Sequence, residues 1–458
     1  MNKSETIAAI ATGMTNSGIG IVRISGDDAF SIASLIFKTK SGKSLNEFES
    51  HRVYYGYIYD GEKLIDEVLM LVLKGPKSFT TEDTVEINCH GGLFVMNRIL
   101  DVCIKNGCRH ATKGEFTKRA FLGGRIDLSE AEAVIDIINS KNELSMMNST
   151  SQLRGSLNEK IKSIRNVLLE KTAFIEAALD DPEHYSLDGY LDELKNDLFP
   201  IFDEVKELEK SFNSGKVVKE GINTCILGKP NVGKSSLMNI LVGEERAIVT
   251  DIAGTTRDTL TENIILDGIS LNIADTAGIR ETDDTVEKIG VSKAYEYADN
   301  SDFIIMVIDS SIPLNDEDYN ILKYINNKNA VILLNKTDLS SAIDKIDLLK
   351  YTDKEIIPIS AKTETGIKEL SEYIKKSFLS GNININDSVI ITNQRHKALL
   401  TEVKESLENV FEGIDMGATE DLITIDLVNA YECLGFIIGE SISDDVINEV
   451  FSKFCMGK

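Results

Sequence analysis

The residues Gly228-Lys229-Pro230-Asn231-Val232-Gly233-Lys234-Ser235 place two glycines ahead of a lysine and a hydroxyl at the spacing of a loop that wraps a polyphosphate. Glycines let backbone N–H groups close around phosphate oxygens, and a following helix adds the positive end of its dipole. The surroundings agree: an apolar β-prone run, Thr224-Cys225-Ile226-Leu227, comes before, and Ser236-Leu237-Met238-Asn239-Ile240-Leu241 reads as a helix after. Asn231, Val232, Gly233, Lys234, Ser235 and Ser236 are the candidate phosphate contacts. Lys234 is expected to reach the β- and γ-phosphates, with a catalytic share in neutralising their charge. The Ser235 hydroxyl is expected to ligate Mg2+.

A Gly-rich turn could match that pattern alone, but further motifs follow in order. Gly254-Thr255-Thr256-Arg257-Asp258 is a polar loop whose threonine could complete a Mg2+ shell. Asp275-Thr276-Ala277-Gly278 ends an alternating run through Ile269, Leu271 and Ile273, so its carboxylate is expected at a strand end facing the metal. Asn335-Lys336-Thr337-Asp338 and Ser360-Ala361-Lys362 each follow a buried-strand run. These two decide the base. Asp338 can accept two hydrogen bonds from guanine's Watson–Crick edge, and adenine cannot supply both; an unpaired buried acceptor costs about 1–3 kcal/mol. The expected ligand is GTP. Small signalling GTPases carry a water-orienting Gln after the aspartate motif, where this chain has Ile279. Glu281, Asp283, Asp284 and Glu287 are the acidic candidates for that task, and a solvated acidic loop accounts for most of them.

Positioning these motifs requires strands alternating with helices, an α/β domain. The chain of 458 residues exceeds one ordinary core and suggests about three domains. Its hydrophobic fraction of 42% is globular, and no apolar run approaches the roughly 18 residues of a membrane span. The N-terminus lacks a signal-peptide pattern. Six scattered cysteines and five histidines show no zinc spacing, which favours reduced thiols in a cytoplasmic protein. The net charge of −25 argues against the whole surface being a nucleic-acid footprint.

Residues 1–118 read as an α+β domain, with strands over Ile19–Ile24, Val53–Ile58, Val68–Leu73 and Val85–Cys89, then a helix carrying Leu93, Met96, Ile99, Leu100 and Cys103. Glu86 could be a solvent-side strand residue, and His90 before Gly91-Gly92 could be turn chemistry. From residue 119 the period is helical: Leu153, Leu157, Ile161, Ile164 and Leu168 recur at helical steps. Asp180-Asp181-Pro182-Glu183 breaks the run, and another helix follows to about Asn213. The GTPase domain is expected over 219–379. Helical stripes return at Leu399, Leu400, Val403, Leu407 and Val410, then Leu427, Ala430, Tyr431 and Leu434, and a last helix starts at Ser443, a plausible N-cap. The economical arrangement is one helical domain built from 119–218 and 380–458, with the GTPase inserted.

Beyond the central motifs, Gly20-Ile21-Val22-Arg23-Ile24-Ser25-Gly26, Thr84-Val85-Glu86-Ile87-Asn88-Cys89-His90-Gly91-Gly92, Gly114-Glu115-Phe116-Thr117-Lys118-Arg119-Ala120-Phe121-Leu122 and the Cys455-x-Gly-Lys tail make the chain resemble, over nearly its whole length, the tRNA modification GTPase family MnmE (TrmE). Met456 departs from the isoleucine usual in that tail. The resemblance implies an α/β multidomain protein: an N-terminal α+β folate-binding domain, a two-segment helical domain and a Ras-like P-loop GTPase. It implies a homodimer that works with the flavoprotein MnmG (GidA) on certain tRNAs. Together they add an aminomethyl or carboxymethylaminomethyl group to carbon 5 of the wobble uridine. The one-carbon donor is a reduced folate, in the 5-formyl or 5,10-methylene-tetrahydrofolate form. Carried over by residue, the folate contacts are Arg23, Glu86, Arg125 and Lys458, with Arg125 standing where several relatives have Lys.

In the family's GTPase domain K+ sits beside the phosphates in place of an arginine finger. The matching positions are Asn231, Thr250, Ile252 and Thr255, within a nucleotide-lining loop of Thr250, Asp251, Ile252, Ala253, Gly254, Thr255 and Thr256. Ser235 and Thr256 match the Mg2+ ligands. Glu287 matches the catalytic acid that orients the attacking water through a bridging water, which would answer the gap at Ile279. Three alternatives stay open: a ribosome-assembly GTPase, a folate-dependent transferase with a vestigial GTPase, and a GTP-gated scaffold without modification activity. The first should add a second GTPase domain or an RNA-binding module, and neither is found beyond residue 380. Steady-state hydrolysis with K+ present separates the other two from the modifying-GTPase reading.

Overall fold

The computed structural model describes residues 4–40, 42, 47–244, 261–274, 294–379 and 389–458. The chain divides into two compact units, one of residues 1–135, 152–169 and 431–458, the other of 136–151 and 170–430.

The first unit is built on a seven-stranded sheet of order β3-β4-β5-β6-β2-β1-β7. Its strands are β1 (Ile7–Ile10), β2 (Ile19–Ser25), β3 (Phe37–Thr39), β4 (Arg52–Asp60), β5 (Lys63–Leu73), β6 (Thr84–His90) and β7 (Arg109–His110). The expected strands sit inside β2, β4, β5 and β6. All pairs are antiparallel except β1 with β7. Alternation sends Val22, Ile24, Val85 and Ile87 into a core shared with α1 (Ala29–Ile36) and α2 (Leu93–Lys105). The intervening residues Arg23 and Glu86 point to the other face, as a period of two requires. Helix α3 (Glu115–Leu122) crosses the boundary expected at 118/119. The last helix, α15 (Asp444–Ser452), has Ser443 at its cap position, though without a side-chain cap bond.

The second unit contains a six-stranded sheet of order β13-β12-β11-β8-β10-β9. These are β8 (Ile222–Leu227), β9 (Thr261–Leu266), β10 (Ile269–Ala274), β11 (Phe303–Asp309), β12 (Ala330–Asn335) and β13 (Glu355–Pro358). Only β9–β10 is antiparallel. Every residue of β11 and β12 is buried, which is why both read as unbroken apolar runs rather than alternating ones. Helices between the strands are α8 (Lys234–Glu244), α9 through 294–299, α10 (Asp316–Ile325), α11 (Lys345–Leu348) and α12 (Ile367–Phe378). Ligands of such sheets bind at the carboxyl ends of the strands, where β8 delivers its loop.

The remaining helices are α4 (Leu128–Ile138), α5 (Glu143–Leu153), α6 (Ser156–Asp180), α7 (Tyr190–Glu220), α13 (Gln394–Met416) and α14 (Glu420–Ile438). The helical run expected through Leu153 to Leu168 is broken at Gly155, whose φ of +90° a helix does not admit. Helix α7 continues past Asn213 to Glu220. Its Gly215 lies against the Ile391 carbonyl, and Ser211 Oγ takes the Ile391 N–H at 3.0 Å, so this end is a packing surface rather than a linker. Helix α13 packs along α7. Leu400, Val403, Leu407 and Val410 are buried there, each contributing about 1.5–3 kcal/mol of apolar burial. Glu209 receives Thr401 and Lys404, both at 2.8 Å.

Candidate functional site

The loop after β8 is shaped by three left-handed residues: Gly228 at φ +148°, Asn231 at +63° and Gly233 at +104°. Asparagine is among the few side-chain residues that accept this region readily. Gly228 faces the Val307 carbonyl and Gly233 the Asn335 amide, so neither position has room for a Cβ. Alternating backbone hands turn successive N–H groups to one side, the concavity that suits phosphate oxygens. Lys234 opens α8, and its Nζ donates to the carbonyls of Gly228 and, at 2.8 Å, Lys229. Burial holds its ammonium pKa below the usual lysine value, with Glu317 opposing. Asn231, Ser235 and Ser236 are exposed; Val232 is buried in the core.

The loop is also anchored from below. Lys229 Nζ lies 2.5 Å from Asp318 Oδ2, both residues buried. Asp318 is the third residue of a capping box at the start of α10, where its side chain takes the Asn315 N–H. Sequence reasoning passed over this pair, because Lys229 fills a free position of the phosphate-loop pattern and Asp318 lies in none of the nucleotide motifs.

The base-side motifs converge. Asn335, buried at the end of β12, donates from Nδ2 to the Val232 carbonyl at 2.8 Å and accepts the Ala361 N–H on Oδ1 at 3.0 Å. It therefore ties the phosphate loop to the Ser360-Ala361-Lys362 loop with its whole amide. Lys336, at φ +65°, pairs with Asp309 at 2.5 Å. Burial would raise the Asp309 pKa, but hydrogen bonds from Lys336 and Ser311 outweigh it and hold the pKa low. Asp338 is exposed, and its Oδ1 accepts the Ser360 hydroxyl at 2.8 Å. Ser360 thus aims a charged carboxylate outward at the rim of the sheet. Lys362 is exposed beside it. Thr250, Asp251, Ile252, Ala253, Gly254, Thr255, Thr256, Asp275, Thr276, Ala277, Gly278 and Glu287 lie outside the described residues.

A second constellation occupies the other unit. Arg23 on β2 stands opposite Glu86 on β6, with Nε donating to Oε1 at 2.7 Å. Arg23 Nη1 donates to the Gly457 carbonyl at 3.0 Å, and its guanidinium lies 5.4 Å from the Phe116 ring centroid. Lys458 is half-buried next to them; burial first, then Arg23, lowers its pKa, with Glu86 opposing. The structure therefore brings together residues more than four hundred positions apart. Arg125 sits one step away, donating to the Phe79 carbonyl at 2.9 Å and lying 5.0 Å from that ring's centroid. Phe79 and Phe116 share one small apolar cluster with Ile7, Ala9 and Ala111, which connects Arg125 to the Arg23 end.

Two supports hold this arrangement. Gly114, at φ +67°, lies against the Phe451 carbonyl and Phe454 Cβ, and Gly457, at +86°, against the Ile10 carbonyl. Both seat the tail by leaving no room for a side chain. The Phe79 loop is fixed by Glu82, which accepts Arg119 Nη1 at 2.8 and 3.0 Å. Arg119 also reaches Glu115 at 2.9 Å, and Glu115 takes Arg109 at 2.6 Å. Burial raises the Glu115 pKa, yet these cations and the Thr112 N–H bring it down to about 2. His90, by contrast, is exposed and paired with Asp66 at 2.7 Å, which raises its pKa.

Among the described residues no helix is long and apolar enough to cross a membrane. Residues 6–125 match the family described as GTP-binding protein TrmE N-terminus, and 128–455 match the MnmE helical domain. The tRNA modification GTPase MnmE of Lachnoclostridium phytofermentans is 54% identical over 100% of both chains. Those of Clostridioides difficile and Acetivibrio thermocellus are 45% and 48% identical, covering 99% and 100% of this chain and the same shares of their own. Among solved structures, the G domain of the T. maritima FeoB iron transporter is 25% identical over 33% of this chain and 96% of that one, with a TM-score of 0.26. With two family profiles spanning both units and relatives aligned end to end, this chain belongs to the MnmE family of tRNA modification GTPases.

Proposed function

We propose that this protein hydrolyses GTP and uses the cycle to modify the wobble uridine of certain tRNAs, acting as a cytoplasmic homodimer with the flavoprotein MnmG. The observation that carries the reading is end-to-end identity of 54% with a tRNA modification GTPase, in a chain whose phosphate loop and guanine-reading Asp338 sit on one sheet. In this reading Lys234 leaves its loop carbonyls for the β- and γ-phosphates, and Ser235 with Thr256 holds Mg2+. The exposed Asn231, with Thr250, Ile252 and Thr255, would offer oxygen ligands to a bare monovalent cation such as K+, which supplies positive charge beside the phosphates. Glu287 orients the attacking water, a contribution of about two to four orders of magnitude, so Glu287→Ala is expected to lose that much in single-turnover hydrolysis while keeping GTP affinity.

The Arg23, Glu86, Arg125 and Lys458 constellation fits a reduced folate. A carboxylate held in place by Arg23 can accept from the pterin's ring N–H and amino group, and Arg125 and Lys458 offer positive charge to the glutamate tail. The donor supplies the one-carbon unit; the residues bind and orient it. The test is nucleoside analysis of total tRNA from a strain lacking this protein, together with GTP turnover by the purified chain. Wobble uridines unchanged by the deletion would overturn the reading.

A further inference from the structure

The β9–β10 hairpin is gripped by a residue that belongs to neither strand nor to any nucleotide motif. Asn142 stands just before α5, and its Oδ1 accepts the Ser145 N–H at 2.7 Å. That bond alone makes a helix N-cap, and serine or aspartate would serve equally. The amide nitrogen, which a cap does not need, donates at 3.1 Å to the Val218 carbonyl in the last turn of α7 and at 2.9 Å to Ser270 Oγ on β10. Asn142 and Ser270 are both buried, so drawing the three elements apart would leave donors unpaired in a dry site, which is costly.

Neighbouring contacts strengthen the grip. Leu144 packs on Gly268 at the hairpin turn, within 3.5 Å of the place a Cβ would take there. Asn272 Nδ2 donates to the Glu220 carbonyl at 3.0 Å, and Gly221, at φ +81°, lets α7 turn directly into β8 against Ser270. Lys219 and Asp136, 2.8 Å apart, bind the end of α4 to the same turn of α7. The two strands held in this way are the ones that matter for phosphate. β8 runs into Gly228, and β10 ends at Ala274, one residue before Asp275.

We propose that Asn142 is a positioning residue that couples the nucleotide state of the sheet to helix α5, so that a shift of β10 moves the start of that helix. The inference rests on the reading of this sheet as a GTP site. It is tested on the full-length chain by hydrogen–deuterium exchange over residues 143–153, without nucleotide, with GDP and with a non-hydrolysable GTP analogue. The wild-type exchange rate is expected to differ by at least about threefold between GDP and the analogue, as for a local opening biased by ligand. Asn142→Ser keeps a cap oxygen but is too short for Val218 and Ser270; Ser270→Ala removes only the acceptor. Both are expected to keep GTP affinity within about twofold and to lose the nucleotide-dependent difference. A residue that only caps α5 would instead raise exchange equally in all states and preserve the difference, which would overturn the proposal, as would a wild-type chain with no difference. If thermal melting shows Asn142→Ser unfolded, Ser270→Ala decides. Failure to bind GTP at all would remove the underlying reading, an outcome distinct from binding without coupling.

Discussion

Replacing Asp338 by Asn asks whether one exposed carboxylate sets the base. In the folded chain its Oδ1 is already held by the Ser360 hydroxyl at 2.8 Å, and Ser360 Oγ in turn takes the Thr363 N–H at 3.2 Å. The carboxylate is therefore oriented before any ligand arrives. Guanine would give it two hydrogen bonds, from N1–H and the 2-amino group. Bonds to a charged acceptor contribute about 1.5–3 kcal/mol each, so removing both costs about 3–6 kcal/mol, or a 10²- to 10⁴-fold loss of GTP affinity. The substituted side chain would keep its oxygen on Ser360 and present the amide nitrogen to the base. That nitrogen repels the 2-amino group but donates to the 2-oxo group of xanthine. Equilibrium titration with fluorescent analogues of GTP and XTP should show the preference invert, with Ser360→Ala weakening the inversion by freeing the amide to rotate. An Asp338→Asn chain that still binds GTP within tenfold of wild type, or gains nothing for XTP, refutes the reasoning.

Deleting residues 455–458 removes the Gly457 carbonyl from Arg23 and the Lys458 charge while leaving Phe451 and Phe454 in their core, so melting should change little. Binding of 5-formyltetrahydrofolate, measured by calorimetry, should be lost; retained binding would contradict the assignment of the tail. GTP hydrolysis is expected to be much faster in KCl than in NaCl at equal ionic strength, and Asn231→Ala should remove the difference without abolishing nucleotide binding. Glu115 has a folded-state pKa of about 2 against an ordinary 4.5, so its contribution to stability is present above pH 4.5 and is lost as the pH falls toward 2. Thermal melts between pH 5 and 2 should show this slope, and Glu115→Gln should flatten it.

Where burial is two-sided or strictly alternating, the sequence carried the fold. β11 and β12 announce themselves as apolar runs, and β2 with β6 as alternations that put Arg23 and Glu86 on one face. The nucleotide loop was legible because backbone conformation there needs specific residues, and Gly228, Asn231 and Gly233 all adopt positive φ. Long-range partners were not. β1 is four residues long and β7 two, too short to show a period. Nothing local to Phe79 or Phe116 signals that they link Arg125 to Arg23. Gly114 stood out only as part of a family-like stretch, although its lack of a Cβ serves Phe451 and Phe454 far along the chain. The end of α7 was misplaced by seven residues: the helix runs past Asn213 to Glu220, with Gly215 against the Ile391 carbonyl, a partner far along the chain.

The buried pair of Lys229 and Asp318 constrains how this protein can change over generations. Losing one partner strands the other charge in a dry site, at about 3–5 kcal/mol, a large part of the 5–15 kcal/mol that holds a typical domain together. Single replacements at either position should therefore be purged, while a joint exchange for apolar residues of similar volume is nearly neutral but takes two simultaneous steps. Arginine at position 229 is the accessible exit, because it keeps the charge throughout. Drift in the phosphate loop is thus channelled by a helix about ninety residues away.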